Sequence, residues 1–270
     1  MSEIVLTAGV RQNLLQLQKT ADLITATQTK LATGKRVNTA LDNPINFFTA
    51  QGLSNRASDL GNLLDSMSNG VNTIQAANNG ITSITKLVQS AQALISQAQQ
   101  TADTTVRQNL SVQFNAIRGQ IDTLSQDSGF NGINLLAGNS LTVTLNETGT
   151  SSVTVTGVTF TSTGLTIAAS ANNWAAGADI NAAAANLTAA LTTLRSQSQS
   201  FSTNLSTVQV RQEFTKAMIN TLQTGADALT LADSNEEGAN LLALQTRQQL
   251  STTALSLASQ ASQSVLRLFQ

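Results

Sequence analysis

Residues 180–229 read INAAAANLTAALTTLRSQSQSFSTNLSTVQVRQEFTKAMINTLQTGADAL, and their spacing decides the fold. Every seventh position from Ile180 to Leu229 is Leu187, Leu194, Phe201, Val208, Thr215 or Leu222. Four residues after each comes Ala184, Leu191, Ser198, Leu205, Gln212, Ile219 or Ala226. The seam is interrupted only by Ser198, Gln212 and Thr215, and no proline breaks it. A 3.5-residue repeat sustained this long keeps one stripe against a partner helix, so the spacing predicts a coiled-coil-like rod. At 1.5 Å per residue it would run roughly 75 Å, with Asp179 placed to cap its start. The expected fold is mainly α: an elongated antiparallel helical bundle.

Composition narrows the chemistry. Charged residues are 11% of the 270, against about 25% in ordinary domains. Uncharged Ser, Thr, Asn and Gln fill 114 positions. A net charge of −1 offers no field for nucleic acid or an anionic membrane. Aromatic content of 3% leaves little for stacking bases. With no His, Cys or Tyr, imidazole, thiol and phenol catalysis are excluded, as are disulfides and the usual zinc sites. No cofactor is expected. The span 248–266 is uncharged yet too polar to insert in a membrane, and the N-terminus lacks the apolar core and cleavage site of a signal peptide.

The same rhythm recurs elsewhere. Val10, Leu14, Leu17, Ala21, Ile24, Gln28 and Leu31 predict a first helix ending near Gly34, a C-terminal cap. Pro44, the single proline, suits the first turn of a second helix capped by Asp42 or Asn43. That helix carries Leu53, Leu60, Met67, Val71 and Ile74, then Ile81, Val88 and Ile95. Asn69-Gly70 and Asn79-Gly80 could be turns, but the stripe continues through both, so one long helix is expected. Asp103 or Thr104 caps a third, with Phe114 and Ile121 on its apolar face. Leu141, Val143 and Leu145, then Val153 and Val155, alternate with polar residues across a turn at 146–152 and predict a β-hairpin. Residues 157–178 read as a loop carrying Trp174. Ser234 with Glu237, or Asp233 with Glu236, forms a capping box for a last helix. That helix has two stripes: Leu241, Leu244, Leu255, Ala258, Val265 and Phe269, and beside them Ala243, Leu250, Ala254, Leu257, Ala261 and Leu268. Two stripes imply more than one partner. The chain thus goes out and returns, with its hairpin at the mid-chain tip.

Three stretches resemble the bacterial flagellins. Gly34-Lys35-Arg36-Val37-Asn38-Thr39-Ala40-Leu41-Asp42-Asn43 is similar to the family's break between terminal and rod helices. Phe130-Asn131-Gly132-Ile133-Asn134-Leu135-Leu136 is similar to its passage from rod to hairpin, and Glu236–Phe269 to its C-terminal helix. Asn43-Pro44-Ile45-Asn46-Phe47-Phe48 departs from the commoner acidic-and-alanine form and looks like the shorter alphaproteobacterial flagellins. The resemblance implies a homopolymer, the flagellar filament for swimming, outside the cell, built from chains exported unfolded by the flagellum's type III apparatus without a cleaved signal peptide. It implies an export chaperone, a filament cap and hook-junction proteins as partners. The domains it implies are 1–33 with 234–270 as an inner coiled coil, 34–46 as a connecting spoke, and 47–233 as an outer rod including the hairpin region 138–178.

The nearest rival is the hook–filament junction protein of the same wider family. Enzyme and nucleic-acid readings find no residues to support them. As subunit contacts the resemblance and the stripes single out Val10, Leu14, Leu17 and Ile24; Arg36, Asn38 and Asp42; and Leu244, Leu250, Leu255, Leu257, Val265, Leu268 and Phe269. Leu255 and Leu257 lie about 200° apart on a helix. One is expected to meet the N-terminal helix near Leu14 and Leu17, the other a neighbouring subunit.

Overall fold

The computed structural model describes residues 8–268, with backbone alone for Ser262 and residues 265–268. Its helices are α1 (Ala8–Thr33), α2 (Pro44–Gln100), α3 (Thr104–Asp127), α4 (Gly177–Thr230) and α5 (Ser234–Leu268). Strands β1 (Leu141–Thr144) and β2 (Ser152–Val155) lie between α3 and α4, followed by a short 3-10 turn at Ala171–Trp174. The chain divides into two compact units, 56–220 and the remainder up to 55 and from 221.

The unit 56–220 holds nearly all of the hydrophobic core. Here α2 and α4 run antiparallel, as the cross-links Gln99 to Asn181 (3.0 Å), Ser198 to Asn78 (3.4 Å) and Gln212 to Ser68 (3.1 Å) show. Ile180, Leu187, Leu194, Phe201 and Val208 are fully buried on α4. Two of the three polar breaks in the seam bond across it: Ser198 donates to Asn78 Oδ1 and Gln212 Nε2 donates to the Ser68 hydroxyl. Asp179 does not cap α4; it sits inside the first turn and accepts from Asn172 Nδ2 (3.2 Å). The helix starts at Gly177, three residues before the first seam residue, Ile180.

α2 is one helix. Gly70 and Gly80 are not turns but points of close approach. A Cβ on Gly70 would lie 2.6 Å from Val143 Cγ2 of the hairpin, and one on Gly80 would lie 2.7 Å from Leu136 Cδ1. The motif 130–136 explains the second approach. Asn131 (φ 48°) and Gly132 (φ 81°) make a tight two-residue turn, closed by reciprocal Phe130–Ile133 backbone bonds of 2.9 and 3.0 Å. Asn134 Nδ2 then donates to the Ser125 and Gln126 carbonyls, each at 2.8 Å, satisfying the end of α3. Leu135 and Leu136 drop into the core, both fully buried.

At the other end of α3, Asp103 Oδ1 accepts from the Thr105 and Val106 amides (2.8 and 3.3 Å), so Asp103 is the cap. The hairpin pairs Leu141 with Val155 and Val143 with Val153. Residues 157–176 form an ordered strap along α3. Asn115 bonds Ser170, Arg118 donates to the Ile167 carbonyl (2.8 Å), and Asp122 accepts from Ser162. Trp174 is wholly buried, its ring 5.0 Å from Phe114.

Candidate assembly surface

The second unit pairs α1 with α5. The last turn of α1 meets the first turn of α5 through Lys30 Nζ and Glu237 Oε1 at 2.9 Å, and the two helices pack side by side, so they run antiparallel. Glu237 is therefore more than a dipole partner at a helix start: it is buried against a cation from the other helix. The cap of α5 is Asp233, whose Oδ1 accepts from the Asn235 and Glu236 amides (2.8 and 3.3 Å).

Each helix of the pair hides one stripe and leaves another open. On α1, Val10, Leu17, Ile24 and Leu31 are half-buried, as the spacing predicts. Between them, however, lie Asn13, Thr20 and Thr27, one residue before the expected Leu14, Ala21 and Gln28. Thr20 and Thr27 are the buried residues of α1, Thr20 returning its hydroxyl to the Gln16 carbonyl (2.8 Å). Leu14, Leu15 and Leu23 stay 39%, 59% and 50% exposed.

On α5 the half-buried stripe is Leu241, Leu244, Gln248, Ser251, Leu255 and Ala258, with Ala243, Ala254 and Ala261 exposed beside it. Leu242, Leu250 and Leu257 remain 68%, 67% and 62% exposed. Leu255 thus lies on the stripe turned to α1 and Leu257 on the open one. The side chains of Val265 and Leu268, and all of Phe269, lie outside the described residues.

The break between α1 and α2 is clasped to the end of α4. Gly34 ends α1 at φ 67°, the left-handed position glycine tolerates. The Thr230 carbonyl accepts from the amides of Arg36 (2.8 Å) and Val37 (3.3 Å), and Gly34 accepts from Ala232 (3.0 Å). Arg36 Nη2 donates to the Ala228 and Leu229 carbonyls (3.4 and 3.3 Å), a cation at a helix C-terminus. Asp42 Oδ2 accepts from the amides of Thr39 (2.8 Å) and Asn38 (2.9 Å) and from the Thr39 hydroxyl (3.2 Å). These bonds, the Thr39 amide first, hold the Asp42 carboxyl below its ordinary value. Asn38 in turn donates to the Lys35 carbonyl (3.0 Å). Asn43, not Asp42, caps α2 by accepting from Asn46 N (3.0 Å).

Sequence reasoning missed Thr20, Thr27, the Lys30–Glu237 pair and the exposed Leu15, Leu23 and Leu242. Glu237 one turn into a helix was the available signal. Among the described residues no group of acids could hold a metal, and no helix is long and apolar enough to cross a membrane.

A mainly helical chain whose terminal pair leaves leucines exposed carries the kind of surface with which proteins associate. Residues 7–141 match the family model for the bacterial flagellin N-terminal helical region. Flagellin FljN of Caulobacter vibrioides is 33% identical and FljK of the same organism 30%, each over 273 residues, 100% of this chain and 99% of theirs. Flagellin A of Rhizobium meliloti is 40% identical over 80 residues, 30% of this chain and 20% of that one. The likeness to the Caulobacter proteins therefore runs end to end. The chain belongs to the bacterial flagellin family, and its function is that of a structural subunit of the flagellar filament, not an enzyme.

Proposed function

We propose that the chain polymerises through the open faces of the α1–α5 pair and the break that follows α1. One observation carries this reading: among the described residues, α1 and α5 bury no hydrophobic side chain completely. Among the described residues, ten of the fifteen large hydrophobic side chains that stay exposed belong to the unit containing this pair. Contiguous exposed apolar surface marks an interaction site. Residues 1–33 with 234–270 act as the inner coiled coil, 34–46 as the spoke and 47–233 as the outer rod, hairpin region 138–178 included. Of the residues singled out as contacts, Leu14, Leu250 and Leu257 on the open faces and Arg36, Asn38 and Asp42 at the break meet neighbouring subunits, while Val10, Leu17, Ile24, Leu244 and Leu255 hold the pair together and so present those faces; Val265, Leu268 and Phe269 extend the contact.

The family supports the finer reading that the chain leaves the cell unfolded through the flagellar type III route, without a cleaved signal peptide. It also supports an export chaperone, a filament cap and junction proteins as partners. The end-to-end likeness to flagellins favours the filament over the hook–filament junction. Electron microscopy of the purified chain after seeding should show long helical filaments. Monomers or short closed rings alone would contradict the reading.

A further inference from the structure

Leu41, Ile45 and Phe48 are 95%, 78% and 64% exposed, the densest run of uncovered large side chains among the described residues. Leu41 stands in the turn stiffened by Asp42, and Ile45 and Phe48 share one face of the first turns of α2. Phe47 lies edge-on to Phe48 with centroids 5.5 Å apart, which steadies the second ring. The result is a convex apolar knob on a rigid base, the arrangement that loses least on binding.

Within the unit 56–220 there is a matching concavity. Leu60, Leu145, Phe214 and Met218 line an open cleft of about 360 Å³, with Arg56 and Arg211 at its edge. Arg56 is already paired with Glu147 at the hairpin turn (2.6 Å). Arg211 is exposed and makes no ion pair among the described residues. Phe214 and Val210, one turn apart on α4, are 56% and 60% exposed and extend the apolar surface beyond the cleft.

We propose that the knob of one copy docks into this cleft on a neighbouring copy, an inference that rests on the filament reading. An open polymer needs two different complementary surfaces on each subunit, and these are a convex and a concave one of like polarity. Charge agrees with shape. Asp42, beside Leu41, uses only Oδ2 in its own turn, which leaves Oδ1 for the unpaired Arg211.

The chain has no cysteine, so introduced thiols are unique. Filaments are grown from an equal mixture of Ile45→Cys and Phe214→Cys proteins and treated with a short bismaleimide. A cross-linked dimer is expected from the mixture and from neither protein alone. Filaments of the mixture without that dimer, or with dimers in the Ile45→Cys filaments alone, would overturn the docking while leaving the filament reading intact. If the unsubstituted chain grows no filaments in parallel, both fall. Where a cysteine variant does not co-assemble, Phe48→Cys with Met218→Cys carries the same test. Arg211→Glu, which sets like charges together, should raise the critical concentration at least about tenfold; an unchanged value overturns the docking.

Discussion

At the scale of single residues, position on a helix outweighs residue type. Phe201 and Leu205 both lie on the predicted seam, yet Phe201 is wholly buried and Leu205 only half. Phe201→Ala should therefore cost about 3–5 kcal/mol, as truncation of a fully packed aromatic does. Leu205→Ala should cost about 1–2, in proportion to the area it hides. Equal losses in denaturant melts would contradict this ordering. Asp42 gives a pH prediction. Its folded value lies below the unfolded value of about 3.9, so its contribution is complete above that value. It is lost as pH falls through the folded one. An NMR titration of the Asp42 carboxyl should find a midpoint below that of an Asp in a short peptide of the same sequence. A matching midpoint would show that the turn is not held this way.

At the scale of elements, α2 separates two kinds of glycine. Replacing a helical glycine by alanine ordinarily gains up to about 1 kcal/mol, and Gly61, with nothing near its Cβ position, should show that gain. Gly80→Ala should instead destabilise by about 1–3 kcal/mol, because the new methyl meets Leu136 and Ser128. If both variants melt higher than the parent, the packing of the 130–136 motif on α2 is wrong. The helices themselves were legible: α4 buries Ile180, Leu187, Leu194, Phe201 and Val208 at the spacing that marks them, and the stripe of α2 runs unbroken past Gly70 and Gly80. α1 was legible at every seventh residue and at Ala21, but not at Leu14 or Gln28. The reading assumed that the largest apolar side chains face the partner within the chain. There the seam is filled by Thr20 and Thr27, and Leu14 and Leu23 are turned away. Periodicity records that a helix has apolar faces, not which one its own chain covers. The strap at 157–176 gave no sequence signal, because its order comes from Asn115, Arg118 and Asp122, far away in the sequence and on another element.

At the scale of the whole molecule, the unit 56–220 closes a core of its own while the terminal pair does not. Most helical stability comes from packing of an apolar face, so on the proposed assembly the terminal helices depend on neighbouring subunits to cover their second faces. Removing residues 250–270 should leave the melting of the unit 56–220 unchanged and abolish polymerisation, read by circular dichroism and sedimentation together. Leu257 isolates the point further, since it is 62% exposed and lies off the stripe that meets α1. The decisive measurement is seeded polymerisation of Leu257→Asp, followed by sedimentation, alongside the circular dichroism of its monomer. The expected result is a monomer spectrum and melt like the parent's and no sedimenting filament, because burying an unpaired carboxylate at a subunit contact is costly. Full-length filaments from Leu257→Asp at the parent's critical concentration would mean that this face of α5 meets water in the polymer, and the assembly surface lies elsewhere.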